Sequence, residues 1–187
     1  MKSYFLRLFE ITSPGVALNS SLNASLQRNK TYNNGGSKSS RFELKEFWKK
    51  LLIKESKNYY VRKNSEYHND AILRISNKMT FKYSHILHNN RFRIGTAQKS
   101  LNLYLKCLWC LGEIPEPPHC PVDRIILQAV KCNDSWTKND SIEKYIQWIQ
   151  RISESAKKDK ISIPEWECRT WNELSPRRKN PHINIPF

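Results

Sequence analysis

Apolar residues recur at helical spacing along most of the chain. Ser40 and Glu43 form a capping box, in which the serine accepts from a backbone amide and the glutamate reaches back. The apolar residues that follow share one helical face: Leu44, Phe47, Trp48, Leu51 and Leu52. Asp140 and Glu143 form a second box ahead of another apolar stripe, which ends at Ile152. No segment alternates as a strand does, so we predict a mainly α-helical fold.

A more apolar helix is predicted over residues 97–111, and Gly112 is suited to end it. Its apolar residues cover the whole circumference instead of one stripe: Leu101, Leu103, Tyr104, Leu105, Leu108, Trp109 and Leu111. This pattern is typical of a central helix that is buried on all sides. A proline-rich connector over residues 115–121 then leads to a shorter predicted helix over residues 122–130.

A single domain is the simplest interpretation of 187 residues in which no boundary is visible. Residues 12–40 are rich in Asn, Ser and Gly, so we predict a loop-rich or mobile segment there. The chain ends in a predicted basic tail over residues 175–187, which contains Arg177, Arg178 and Lys179. Two interpretations of this tail stay open: it contacts phosphate, or it is exposed and inert.

Basic residues outnumber acidic ones by 32 to 17, which gives a net charge of +15. Residues 28–63 are strongly basic, and residues 74–106 contain no acidic side chain. Such an excess indicates a polyanionic partner, and duplex DNA is the partner that we expect. The side chains predicted to contact DNA are Lys49, Lys50, Arg91, Arg93 and Arg124. A solvated helix face is the alternative for the two lysines.

Several classes of protein are excluded or unsupported. No apolar run approaches the roughly 18 residues of a membrane span, so we expect no membrane partner. The N-terminus does not fit a secretory signal, and five irregularly spaced cysteines favour a reducing cytoplasm over a disulfide scaffold. The sequence contains no Walker A, Gly-x-Ser-x-Gly or His-Glu-x-x-His pattern. We expect no cofactor.

Two residues beside the buried helix have the chemistry of an active site. Lys99 lies in the first turn, where partial burial would favour a neutral, nucleophilic amine. Asp123 opens the next helix, where a carboxylate stays ionised easily. Gly95 and Thr96 would present backbone amides to a phosphate at the helix start. The structural alternative makes Lys99 a solvated lysine and Asp123 a residue that caps or completes a helix start.

The order of these residues resembles the helix–hairpin–helix DNA glycosylases, which excise a flipped base from duplex DNA. Gly95 matches the hairpin glycine, Lys99 the lysine near the helix start, and Pro121-Val122-Asp123 the aspartate segment; the similarity covers residues 94–127. The resemblance implies that Asp123 stabilises the sugar cation formed as the glycosidic bond breaks. It also implies that Lys99 attacks C1′ as the Schiff-base nucleophile of a bifunctional enzyme.

An extruded base is held by stacking, so aromatic residues are candidates for the base pocket. The candidates in this sequence are Trp136, Trp166, Trp171 and His119. A zinc site is an alternative function for this region, since four possible ligands lie close together in the sequence: Cys107, Cys110, His119 and Cys120. Cysteines inside an apolar helix are more typical of core packing, so we predict no metal.

Three functions are therefore considered from the sequence. The first is a DNA glycosylase that acts in repair or in defence against modified foreign DNA. The second is a non-catalytic DNA- or RNA-binding protein, which explains the charge equally well and requires nothing of Lys99 or Asp123. The third is a nuclease-type toxin or defence effector, for which the sequence offers few carboxylates.

Overall fold

A computed structural model describes residues 1–27 and 29–175. The predicted helical fold class is confirmed for these residues, which form eight α-helices. The helices are α1 (Lys2–Leu8), α2 (Pro14–Leu26), α3 (Lys38–Ser56), α4 (Ser65–Tyr83), α5 (Ile94–Leu111), α6 (Arg124–Ala129), α7 (Ile142–Lys158) and α8 (Ile163–Leu174). Within the described ranges, pairing of the strand type is limited to one bridge, between Tyr32 and Leu87. The predicted basic tail lies outside these ranges beyond Ser175.

Helix α5 is the centre of the fold, as its all-round apolar pattern predicts. Of its 18 residues, all but Leu103 and Leu111 are buried. Helices α1, α2, α3, α4 and α7 pack around it. The helix ends where Gly112 adopts the left-handed conformation, with φ of 84°, which glycine accepts without strain.

The start of α5 is set by a close contact at Gly95. Its N–H donates to the Asn139 carbonyl at 2.9 Å. A Cβ atom at position 95 would overlap the backbone carbonyl oxygen of Trp136. Glycine is therefore required here because the turn at residues 136–138 lies directly against the helix.

Replacing Gly95 by alanine should lower the free energy of unfolding by about 1–3 kcal/mol, the usual cost of overpacking. The clash is with backbone, so it outweighs the higher helix propensity of alanine. Gly15→Ala, at an exposed position in the first turn of α2, is the matched control and should change stability little. Urea denaturation of both variants measures the difference, and equal midpoints would contradict this account.

The prediction of a loop-rich or mobile segment over residues 12–40 is wrong over much of its length, because α2 occupies its first half. The Ser13 side chain accepts from the Val16 amide at 3.3 Å, and Pro14 occupies the first turn. Ser21 and Ser25 donate from their hydroxyls to carbonyls one turn earlier, both at 2.7 Å. These bonds allow a serine-rich helix to be buried against α5.

Neither predicted capping box forms, because each helix is capped by a different residue. Helix α3 is capped by Ser37, whose hydroxyl accepts from the Ser40 amide at 3.1 Å, so Ser40 lies inside the helix. Helix α7 is capped by Ser141, because Asp140 instead pairs with Arg91 at 3.0 Å. A capping box does form at α8, between Ser162 and Glu165. The predicted helix at residue 122 begins at Arg124.

A buried polar chain connects α4, α5, α7 and the proline-rich connector. His68 bonds to Tyr59 at 2.7 Å through Nδ1 and to Asn102 Oδ1 at 2.6 Å through Nε2. Asn102 also donates to the Tyr145 hydroxyl at 3.0 Å, and His119 Nδ1 lies 3.0 Å from the same hydroxyl. Burial lowers the pKa of His68 to about 4, although its bond to Asn102 acts in the opposite direction. Burial also lowers the pKa of His119 well below its usual value.

These histidines should make the protein acid-sensitive. An unfolded histidine takes up a proton below a pKa of about 6.5, whereas folded His68 does so only near pH 4. Stability therefore falls as the pH falls, and His68 alone should remove about 2 kcal/mol between pH 7 and 5. Urea denaturation at both pH values measures the loss. His68→Gln, which does not titrate, should reduce the pH dependence; an unchanged dependence would argue against this assignment.

Candidate functional site

A cavity of about 650 Å³ lies beside the face of α5 that carries Lys99 and Leu103. Its other walls come from α1, α2, α6, α8 and the turn at residues 136–138. Four aromatic side chains line it: Phe5, Phe9, Trp136 and Trp171. The volume lies in the range of small-molecule sites. No described residue between 29 and 98 contributes to the lining.

Asp123 is the N-cap of α6, and its side chain is held on both oxygens. Oδ1 accepts from the amides of Ile125 at 3.0 Å and Ile126 at 3.1 Å. Oδ2 accepts from Lys99 Nζ at 2.8 Å and from Trp171 Nε1 at 3.1 Å. The carboxylate is therefore fixed in orientation at the cavity wall, and the structural interpretation of Asp123 as a helix cap is also correct.

Asp123 is an anion in this setting. Burial alone would raise its pKa, but the charge of Lys99 and the hydrogen bonds from Lys99, Ile126 and Trp171 together lower the pKa below its usual value. Lys99 is buried, so the interpretation of a solvated lysine is wrong. Lys99 Nζ instead forms an ion pair with Asp123 Oδ2 at 2.8 Å.

A second ion pair lies in the same cavity. Lys106 Nζ is 2.7 Å from Glu167 Oε2, and the two side chains are 3% and 1% exposed. The ammonium also lies over the Phe5 ring, 4.2 Å from its centroid. Lys106 follows Lys99 by two helical turns, which places the two lysines about 10 Å apart along α5. The cavity therefore contains two lysine–carboxylate pairs, whose lysines come from α5 and whose carboxylates come from the start of α6 and from α8.

The structure divides the predicted base-pocket residues into two groups. Trp136 and Trp171 line the cavity. Trp166 is buried in the core and does not line the cavity. His119 is also absent from the lining, since its ring bonds to Tyr145 within the polar chain. Trp166 and His119 therefore lie outside this cavity, whereas Trp136 and Trp171 form part of its wall.

The predicted phosphate contact of Gly95 and Thr96 is not possible in this conformation. Both residues are buried, and their amides donate to the carbonyls of Asn139 at 2.9 Å and Arg93 at 3.0 Å. Arg93 itself donates to the Asn29 side chain at 3.3 Å and to the Lys30 carbonyl. The backbone amides of Gly95 and Thr96 at the start of α5 are thus already hydrogen-bonded within the chain.

The other predicted DNA-binding residues are distributed over two surfaces. Arg124 is exposed and lines the cavity. Lys50 is exposed on α3, and Lys49 forms an ion pair with Glu46 at 2.8 Å. Arg91 pairs with Asp140 and also donates to Asn77 at 3.1 Å. Arg124 is therefore the one of these four that adjoins the candidate site.

The alternative zinc site is not formed by the described part of the chain. No three His, Cys, Asp or Glu side chains within residues 1–27 and 29–175 are placed to hold a metal ion. All five cysteines are free and buried. Burial raises the pKa of Cys107 to about 12, so its sulfur stays a thiol and is a poor ligand.

Lys106, Glu167, Phe5 and Phe9 are cavity residues that the sequence did not identify. The signal for Lys106 was present, because a second lysine two turns after Lys99 lies on the same helical face. Glu167 lies in the segment Ile163-Pro164-Glu165-Trp166-Glu167, whose two carboxylates are unusual beside a buried tryptophan. The sequence around Lys106 or Glu167 contains no pattern that predicts the ion pair between them.

None of the helices among the described residues has both the length and the apolar character needed to cross a bilayer. Comparison of the chain with protein-family models, with curated proteins and with solved structures gave no match.

Proposed function

We propose that this protein removes a damaged or modified base from DNA. One observation carries the proposal: Lys99 and Asp123, 24 residues apart in the chain, meet at 2.8 Å on the wall of an aromatic cavity. The resemblance to helix–hairpin–helix DNA glycosylases implies catalytic roles for both of these residues. Helices α4 and α5 pack together and are joined by residues 84–93, an arrangement compatible with that family.

Asp123 would stabilise the positive charge that develops on the sugar. As the bond from C1′ to the base nitrogen breaks, its electron pair leaves with the base and C1′ becomes cationic. An anionic carboxylate that is already oriented by four hydrogen bonds favours this charge without reorganisation. Trp136 and Trp171 supply aromatic surface against which an extruded base stacks.

Two routes lead on from the sugar cation. In the first, water adds to C1′ and the base is released by hydrolysis. In the second, the Lys99 nitrogen forms the new bond to C1′, which requires that its ammonium first lose a proton. Asp123 Oδ2, at 2.8 Å, is a proton acceptor within reach. In this second route the C1′–O4′ bond of the resulting adduct then breaks, O4′ takes up the proton, and the opened sugar is held as a Schiff base. Borohydride reduces this Schiff base to a stable protein–DNA adduct.

Mass spectrometry of free bases is the test of this proposal. Wild-type protein is incubated with duplexes that carry deaminated, alkylated, oxidised or virus-type modified bases, and the released bases are identified. Release of a base with formation of an abasic site supports the proposal and indicates whether the setting is repair or defence. No release from any duplex, together with salt-dependent DNA binding, would overturn it in favour of a non-catalytic binding protein.

A further inference from the structure

The outer surface of α3 and α4 carries an exposed aromatic residue in a basic setting. Phe81, on α4, is 92% exposed. It lines a shallow recess with Phe47 from α3 and with Asn77, Lys78 and Lys82 from α4. This recess shares no lining residue with the cavity beside α5. We refer to these five residues as the α3–α4 recess.

The aromatic wall of the α3–α4 recess is held in place. Phe47 packs on Tyr83, with ring centroids 5.7 Å apart. Lys82 Nζ lies over Phe47 at 4.3 Å from its centroid. Phe81 lies beside this supported ring, with its own ring in solvent. The recess therefore presents a free aromatic face next to fixed positive charge.

The charge around the α3–α4 recess favours an anion. Its lining contains two lysines and no carboxylate, and neither lysine forms an ion pair with any carboxylate in the described part of the chain. Arg91 borders the recess through its hydrogen bond to Asn77 at 3.1 Å, and its charge is paired with Asp140 at 3.0 Å. A second copy of a chain with net charge +15 would meet repulsion at this surface.

We propose that the α3–α4 recess binds single-stranded nucleic acid, with a base stacked on Phe81 and phosphates paired with Lys78 and Lys82. An aromatic face that accepts any base, flanked by cations that follow the backbone, is the usual composition of single-strand binding surfaces. The inference is independent of base excision, because it requires neither Lys99 nor Asp123.

Fluorescence anisotropy with a labelled oligothymidine tests this inference in the full-length protein. Phe81→Ala should weaken binding by about 5- to 150-fold, the range that corresponds to loss of one stacked base. Tyr60→Ala is the matched control, because Tyr60 is also exposed, at 65%, and precedes the opposite end of α4. It should leave the affinity unchanged. Lys78→Ala and Lys82→Ala should each reduce the salt dependence of binding by about one phosphate contact.

An abasic oligonucleotide of equal length separates stacking from charge. Phe81→Ala should bind this strand as wild type does, since no base is present to stack. Equal weakening on both strands, or unchanged binding to oligothymidine, would overturn the inference. A wild-type dimer in sedimentation that Phe81→Ala converts to monomer would also overturn it, because Phe81 would then serve self-association.

Discussion

Replacing Asp123 by asparagine should lower the rate of base release by roughly 100- to 1000-fold, the usual cost of losing one preorganised electrostatic contact. Asparagine keeps an oxygen that can accept from the Ile125 and Ile126 amides, so α6 retains its cap. The negative charge that faces C1′ is lost. Single-turnover kinetics measures the rate of base release by both proteins, on the duplex from which the wild type releases a base.

Asp134→Asn is the control for this substitution. Asp134 lines the same cavity, but its carboxylate accepts from Trp148 Nε1 at 2.8 Å and pairs with Lys144 at 2.9 Å. Loss of the Asp134 charge should leave the rate of base release within a few-fold of wild type. Thermal melting of both variants separates loss of chemistry from loss of folding. Full activity in Asp123→Asn would eliminate the proposed mechanism.

Truncating Glu167 to alanine should destabilise the protein by about 3–5 kcal/mol, because it leaves the buried charge of Lys106 without a partner. The low exposure of both side chains prevents water from replacing the lost carboxylate. Urea denaturation at neutral pH measures the change. An effect of this size would be a large part of the stability of a typical domain.

A double variant tests whether the destabilisation in Glu167→Ala comes from the unpaired charge of Lys106. Lys106→Met combined with Glu167→Leu removes both charges and keeps similar volume, so stability should return close to that of wild type. Glu46→Ala, which breaks the half-exposed pair with Lys49, should cost only about 0–1 kcal/mol. Similar losses for Glu46→Ala and Glu167→Ala would contradict the distinction between buried and exposed pairs.

The helical fold and its central helix could be predicted because both depend on patterns within single segments. The apolar circumference of α5 predicts its burial directly. Helix starts were less certain, because neighbouring polar residues compete for the same cap: Ser37 replaces Ser40, and Ser141 replaces Asp140. Helix α2 was missed because its serines resemble a loop in composition while bonding to their own helix.

The candidate site was predictable only in part. Lys99 and Asp123 were candidates because their order along the chain resembles that of a known family, but the ion pair between them is visible only in the structure. The pairing of Lys106 with Glu167 joins helices far apart in sequence, and no spacing rule connects them. Trp166 and Trp171 look equivalent in the sequence, but only Trp171 lies on the face of α8 that reaches the cavity.

The positions of helix α5 that can change in evolution are few. One face contributes the two lysines of the cavity, and Asn102 contributes to the histidine chain on another side. Nearly every other residue of α5 is buried against the surrounding helices. Sequence drift among relatives would then accumulate at exposed positions of the other helices, while residues 94–111 would change slowly. This segment is therefore the one by which a distant relative should be recognised.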